Sequence, residues 1–261
     1  MDHGGYQQYA LIGTSANLTA KLPDNVTDDD AATLPTAINT AQVALYDSDG
    51  FGFPNPFEDS SFGKGKSILV AGGSANIGLA GNPRSSPKKA NLHPLALQFL
   101  KLSGFENIIT TASKSHEKLV KSYGATHLID RSLPLSTQVE QIKAITPNLQ
   151  YAWDCIGSKD TNTLAAQSFG PEGGLIVSSL PVSKEVLAEY KHVQGRDIFS
   201  GPSAHPDSAA RVWGRMTKAL EGGQIRPLPY RVHEGGLAKI TEALGAVKKA
   251  SGYKVVIHPQ E

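Results

Sequence analysis

The stretch Ser67-Ile68-Leu69-Val70-Ala71 runs without a break into Gly72-Gly73-Ser74-Ala75-Asn76-Ile77-Gly78. A short, continuous apolar run ending in turn residues reads as a strand buried on both faces. Such a strand must be covered twice, so helices are needed on both sides of its sheet. The rest of the chain supplies them. Residues 94–103 read as a helix, with Pro94 in the first turn and Gly104 beyond the end. A second strand is expected at 107–111, a helix at 115–123, a third strand at 127–129 and a helix at 136–145. A fourth strand at 150–155, a helix at 161–169 and a fifth strand at 174–180 follow, and Ile198-Phe199 would end a sixth. This alternation predicts an α/β chain with a doubly wound parallel sheet.

The flanks are less regular. A short strand is expected at 7–12, an acid-rich helix start at 28–34, and an apolar helix at 36–46 after Pro35. Residues 47–66 form a loop punctuated by Phe51, Phe53 and Phe57. Beyond the sheet come a long helix at 206–220, a strand at 230–232, a helix at 237–249 and a strand at 253–257. One stretch fits nothing. Residues 79–93 are polar, contain Pro83 and Pro87, and carry Arg84, Lys88 and Lys89 with no acid. They read as an exposed inserted loop between the glycine turn and its helix.

A buried strand, a glycine turn and a helix form a phosphate cradle, because glycine lets the backbone approach a pyrophosphate. Here the pattern is Gly72-x-x-Ala75-x-x-Gly78, so Gly72, Gly73, Ser74, Asn76, Ile77 and Gly78 are the candidate cradle. The partner group that meets the adenosine ribose should lie about 20 residues on, at the next strand end. Ser113 lies 35 positions after Gly78, and 15 of these belong to the inserted loop. The tract there is Ser113-Lys114-Ser115-His116, with no acid before Glu117. Hydroxyls and a cation suit a 2′-phosphate, which favours NADPH over NADH; Arg131, after the third strand, is a further candidate. The bland alternative for each is a solvated loop residue.

Competing chemistries find no support. In Phe62-Gly63-Lys64-Gly65-Lys66-Ser67, Ser60 stands where a P-loop needs its first glycine. No tyrosine has lysine four residues on, and no His-Glu-x-x-His occurs. One cysteine in 261 residues excludes a disulfide framework within the chain and a cysteine-rich zinc site. A net charge of +1 gives no field for nucleic acid or an acidic membrane. No run of about 18 apolar residues suggests a membrane span. The N-terminus lacks a signal-peptide pattern, so a reducing, cytoplasmic setting is expected.

Several segments together resemble one family. Gly5-Tyr6-Gln7-Gln8-Tyr9, Ala31-Ala32-Thr33-Leu34-Pro35, Asn39-Thr40-Ala41, the glycine turn, Ser113-Lys114, Lys121-Ser122-Tyr123-Gly124-Ala125, Asp154-Cys155-Ile156-Gly157, Gly173-Gly174 and Gly252-Tyr253-Lys254-Val255-Val256 occur in its order and spacing. The chain resembles the zinc-independent medium-chain dehydrogenase/reductases of the quinone-oxidoreductase and fungal trans-enoyl-reductase type. The resemblance implies a Rossmann-type domain over 35–225 that binds NADPH. It also implies remnants of a GroES-like β lobe at 1–34, and at 226–261 where the chain returns to that lobe. Thr40, Asp154, Cys155, Ile156, Gly157, Ser178, Ser179 and Leu180 would line the nicotinamide. No metal ligand set is expected and the proton donor is not identified. The implied activity is hydride transfer to a small carbonyl, quinone or activated C=C substrate, with a homodimer through a sheet edge. The missing part of the lobe and the 79–93 insertion would fit a truncated or mis-spliced product. A nucleotide-binding but inactive fragment or interaction module is therefore the alternative.

Overall fold

The computed structural model describes residues 7–9, 19–73, 94–200, 205–247 and 249–261. Helix α1 (Asp28–Ala32) opens on a capping box. The Asp30 N–H donates to the Thr27 hydroxyl at 3.1 Å, and the Thr27 N–H donates to the Asp30 carboxylate at 3.3 Å. Pro35 starts α2 (Pro35–Tyr46), where its missing N–H costs nothing. Then come β1 (Ser67–Ala71), α3 (Pro94–Leu102), β2 (Asn107–Ala112), α4 (Glu117–Ser122), β3 (His127–Asp130), α5 (Leu135–Ile145) and β4 (Tyr151–Asp154). The chain continues through α6 (Lys159–Ser168), β5 (Gly174–Ser178), α7 (Lys184–Glu189), β6 (Val193–Asp197), α8 (Pro206–Glu221), β7 (Tyr230–Val232), α9 (Ile240–Val247) and β8 (Lys254–Val256).

The six strands β1 to β6 form one parallel sheet in the order β3-β2-β1-β4-β5-β6. The order reverses between β1 and β4, and a doubly wound sheet opens its crevice at the C-terminal ends of those strands. Alternating side chains divide the core in two. Leu69, Ile109, Ala152 and Ile176 meet Val139 and Ile142 of α5, Leu164 of α6 and Val186 of α7. Ile68, Val70, Ile108, Trp153 and Val177 meet Ile38 and Leu45 of α2, Leu95 and Phe99 of α3, and Val212 and Met216 of α8. Burial of each such large side chain contributes about 1.5–3 kcal/mol. The doubly wound expectation is met.

Some details differ from the sequence reading. Helix α7 had no counterpart there. It is only six residues long, is capped by Ser183 and buries Val186 alone, so it has almost no periodic signal. Strand β6 ends at Asp197, and apart from Val193 its residues are exposed, as befits a sheet edge. Residues 7–9 carry no strand pairing, and the rest of the proposed first strand lies outside the described residues, as does the 79–93 insertion. The 47–66 loop is seated rather than free. Phe53 stacks on Phe51 at 4.8 Å and packs on Phe105 and Tyr151 at 5.4 and 5.1 Å. These rings close the N-terminal edge of β4. No helix among the described residues is long and apolar enough to cross a membrane.

Strands β7 and β8 pair in parallel outside the main sheet. The segment after β8 is tied back to α1 by His258. Its Nε2 lies 2.9 Å from Asp29 Oδ1 and its Nδ1 lies 2.8 Å from Glu261 Oε1. Glu261 first and Asp29 second raise the His258 pKa above its ordinary value. A raised histidine stabilises the fold fully below the unfolded pKa and loses that contribution as pH rises through the folded value. His258→Gln should therefore lower the melting temperature at about pH 5.5 and change it little at about pH 9. Equal losses at both values would show that charge is not the reason for the contact.

Candidate active site

One buried carboxylate stands at the C-terminal end of β4, between β1 and β5. Asp154 ends β4, is fully buried, and pairs in register with Ala71 of β1 and Ser178 of β5. Its Oδ1 accepts the N–H groups of Ile156 and Gly157 at 2.8 and 2.9 Å. Its Oδ2 accepts the Thr161 hydroxyl and the Asn162 amide, both at 2.6 Å. Burial pushes the Asp154 carboxyl above the usual range, and these four donors pull the other way. Asn162 also accepts the Ser183 N–H at 2.8 Å, so the network reaches the loop after β5. Sequence reasoning placed Asp154 against the cofactor. Its carboxylate is instead engaged inside the protein, and what it presents is the loop around Cys155, Ile156 and Gly157.

That loop meets the loop after β5. Gly157 has φ +66°, and a Cβ there would lie 2.6 Å from Leu180 Cβ. Leu180 is 40% exposed, unusual for so apolar a side chain, and Ser179 Oγ is buried with no partner. Ser178 is buried, and its hydroxyl accepts the Leu180 N–H at 3.3 Å. Cys155 donates its N–H to Ala71 O at 3.1 Å. Burial first, and Asp154 second, raise its thiol pKa well above the ordinary value, so it is not a thiolate nucleophile. Thr40 sits on α2 with its hydroxyl donating to Thr36 O at 2.9 Å and to Ser200 Oγ at 3.2 Å. It is 1% exposed, so this hydroxyl ties α2 to the segment after β6 rather than projecting into open space.

At the end of β1 the glycines are required by β2. Gly72 has φ +81°, and its N–H donates to Thr111 Oγ1 at 2.9 Å. A Cβ on Gly73 would lie 1.9 Å from Thr110 Oγ1, itself bonded to Val70 O at 2.9 Å. Thr110 and Thr111 went unnoticed in the sequence, because threonine in a strand reads as ordinary β-branched packing. Ser74, Asn76, Ile77 and Gly78 lie outside the described residues. Ser113 caps a 3-10 turn over Lys114–His116 at the end of β2, and Ser115 donates to its hydroxyl at 3.1 Å. The Arg131 N–H donates to Ala112 O at 3.1 Å, which brings the end of β3 beside it. Two hydrogen bonds from Ser132, then the nearby Lys114 and Arg131, hold the Asp130 carboxyl below its usual range. Ser113 and Lys114 at the end of β2 and Arg131 at the end of β3 thus share one edge. His116 has an unpartnered, buried Nδ1, and its pKa is lowered by burial and then by Arg131.

The Asp154 network predicts a stability effect. Asp154→Ala leaves the Asn162 amide and two loop N–H groups without acceptors, each worth about 1–3 kcal/mol when buried. Denaturant unfolding should show a loss of roughly 3–5 kcal/mol. A loss under about 1 kcal/mol would contradict the network's role.

Comparison with known proteins agrees with this architecture. Residues 94–201 match the family model described as zinc-binding dehydrogenase. The trans-enoyl reductase phm4 of a Pyrenochaetopsis species is 30% identical over 281 residues, covering all of this chain and 71% of the relative. The CurK enoyl reductase structure superposes with a TM-score of 0.69 at 19% identity, over 94% of this chain and 67% of that one. A mycobacterial protein solved in complex with NADPH gives the same TM-score and identity, over 94% and 70%. Parallel strand order, the glycine turn at the end of β1 and similarity along the whole of this chain, which spans 71% of that relative, converge: the chain belongs to the medium-chain dehydrogenase/reductases, a family of oxidoreductases that includes the trans-enoyl reductases it matches.

Proposed function

We propose that the chain binds NADPH along the C-terminal edge of the sheet and reduces an electron-poor C=C, a quinone or a carbonyl without a metal. The observation that carries the cofactor choice is the edge shared by Ser113, Lys114 and Arg131. Two cations and a hydroxyl suit the 2′-phosphate that distinguishes NADPH. The acid beside them, Asp130, is engaged by Ser132 at 3.0 and 2.8 Å. The backbone of Gly72 and Gly73 suits a pyrophosphate.

When bound, NADPH supplies the hydride. The residues of this chain would supply position and exclusion of water. Gly157 and Leu180 would form an apolar wall. Beside the ends of β4 and β5 the described groups are a protonated Cys155 thiol and an Asp154 carboxylate with both oxygens engaged. That donor set does not suit zinc. Polarisation of the substrate would then rest on hydrogen bonds to the developing oxyanion and on alignment.

Titration of intrinsic tryptophan fluorescence with NADPH and NADH tests the reading. The chain should prefer NADPH. The double variant Lys114→Ala/Arg131→Ala should weaken NADPH binding by about 10–100-fold and leave NADH unchanged. Equal losses for both, or no preference in the parent chain, would refute the assignment. NADPH binding without turnover of enals, quinones or ketones would instead favour the inactive-fragment reading.

A further inference from the structure

The residues closing α2 and opening α8 form a cluster that the reductase reading does not use. Asp47 follows α2, Asp49 stands in the next turn, and His205 precedes α8. Their ligand atoms all lie within 4.8 Å of one another. None of the three falls in the 94–201 segment matched by the family model. The His205 side chain is 9% exposed. Its Nδ1 is 3.2 Å from Asp47 Oδ1, and its Nε2 is 3.0 Å from the Phe199 carbonyl oxygen and 4.0 Å from Asp49 Oδ2. Three acceptors therefore surround a ring that, when neutral, has a single N–H.

Asp47 is fixed from behind. Its Oδ2 accepts the Ser208 hydroxyl at 2.6 Å, and its Oδ1 accepts the Asp49 N–H at 3.1 Å. The Gln42 amide, fully buried, donates to Ser208 in turn, and its Oε1 has no partner. The turn that carries Asp49 is also held. Arg196 donates to the carbonyls of Ser48 and Gly50 at 3.0 and 2.7 Å. With the Nδ1 hydrogen turned to Asp47, a metal ion at Nε2 would pair the Phe199 and Asp49 oxygens as well, so all three acceptors would be met. The 4.0 Å gap to Asp49 is too long for a hydrogen bond. Tetrahedral bonds of about 2.0–2.2 Å set ligand atoms about 3.3–3.6 Å apart, so a small inward turn of the exposed Asp49 side chain would complete the pair.

We propose that His205 Nε2, the Asp49 carboxylate and the Phe199 carbonyl bind one divalent cation of the zinc class, with Asp47 as the positioning residue behind the histidine. A carboxylate on the far ring nitrogen is the usual support for a metal-bound histidine, since it sets the tautomer and raises ligand basicity. An imidazole with oxygen ligands suits zinc, whereas magnesium prefers oxygen alone. Asp49 is 66% exposed and leaves a path for the ion. The ion would staple the end of α2 to the start of α8, so binding should raise thermal stability by mass action.

The test is calorimetric titration of the chelator-treated full chain with zinc chloride and, separately, magnesium chloride. One zinc per chain is expected, with magnesium much weaker. Asp49→Asn and His205→Gln should each weaken zinc binding at least tenfold, and Asp47→Asn by about 10–100-fold. Melting temperature should rise with zinc in the parent chain and not in Asp49→Asn. Because Asp49 is largely exposed, that variant keeps the decision open if the His205 variant does not fold. NADPH titration of Asp49→Asn is expected to match the parent, which separates this site from the cofactor reading. No zinc binding would overturn the proposal. Unchanged binding in Asp49→Asn would put the zinc elsewhere and overturn it equally.

Discussion

The edge of the sheet on which any chemistry depends is organised by the buried carboxylate of Asp154. A charge taken wholly out of water is tolerated only when every lone pair finds a donor. Asp154 recruits two loop N–H groups, the Thr161 hydroxyl and the Asn162 amide. Meeting that demand folds 155–157 into a fixed turn, sets the first turn of α6 and, through Asn162 and Ser183, anchors the loop after β5. The fit of Gly157 against Leu180 then follows from two loops that are already positioned.

A second constraint acts one strand away. Thr110 presses against the end of β1 so closely that Gly73 admits no side chain, and the φ of +81° at Gly72, whose N–H is bonded to Thr111, favours glycine there too. On the outer side of β2, the edge is cationic through Lys114 and Arg131. A cationic end and the apolar Leu180 side chain are thus separated along one edge, the arrangement on which the proposed dinucleotide site rests.

The parts legible in the sequence were those with a strong local pattern. The run from Ser67 to Ala71, the following glycines and the regular alternation after Pro94 were enough for the sheet and its two covering layers. Strand β6 and helix α7 were missed or misplaced, since an edge strand reading Val-Gln-Gly-Arg-Asp lacks apolar alternation and α7 has one buried residue. The site was legible in part. The ends of β2 and β3 that carry Ser113, Lys114 and Arg131 lie side by side, as adjacent strands of a parallel sheet must. The inward bonding of the Asp154 carboxylate was not legible, because hydrogen-bond partners up to eight residues away leave no mark on a motif. Thr40 likewise turned out to bond its own helix and Ser200. Asp47, Asp49 and His205 could not have been grouped from sequence, because 156 positions separate Asp49 from His205.

The central claim is that the C-terminal edge from Lys114 to Leu180 is one dinucleotide site, organised by Asp154 and the paired glycines. Crystallisation of the chain with NADPH tests it most directly. The account predicts the pyrophosphate against the Gly72-Gly73 backbone, the 2′-phosphate between Lys114 and Arg131, and the nicotinamide beside Gly157 and Leu180. A cofactor bound elsewhere, or with its 2′-phosphate away from both cations, would contradict it.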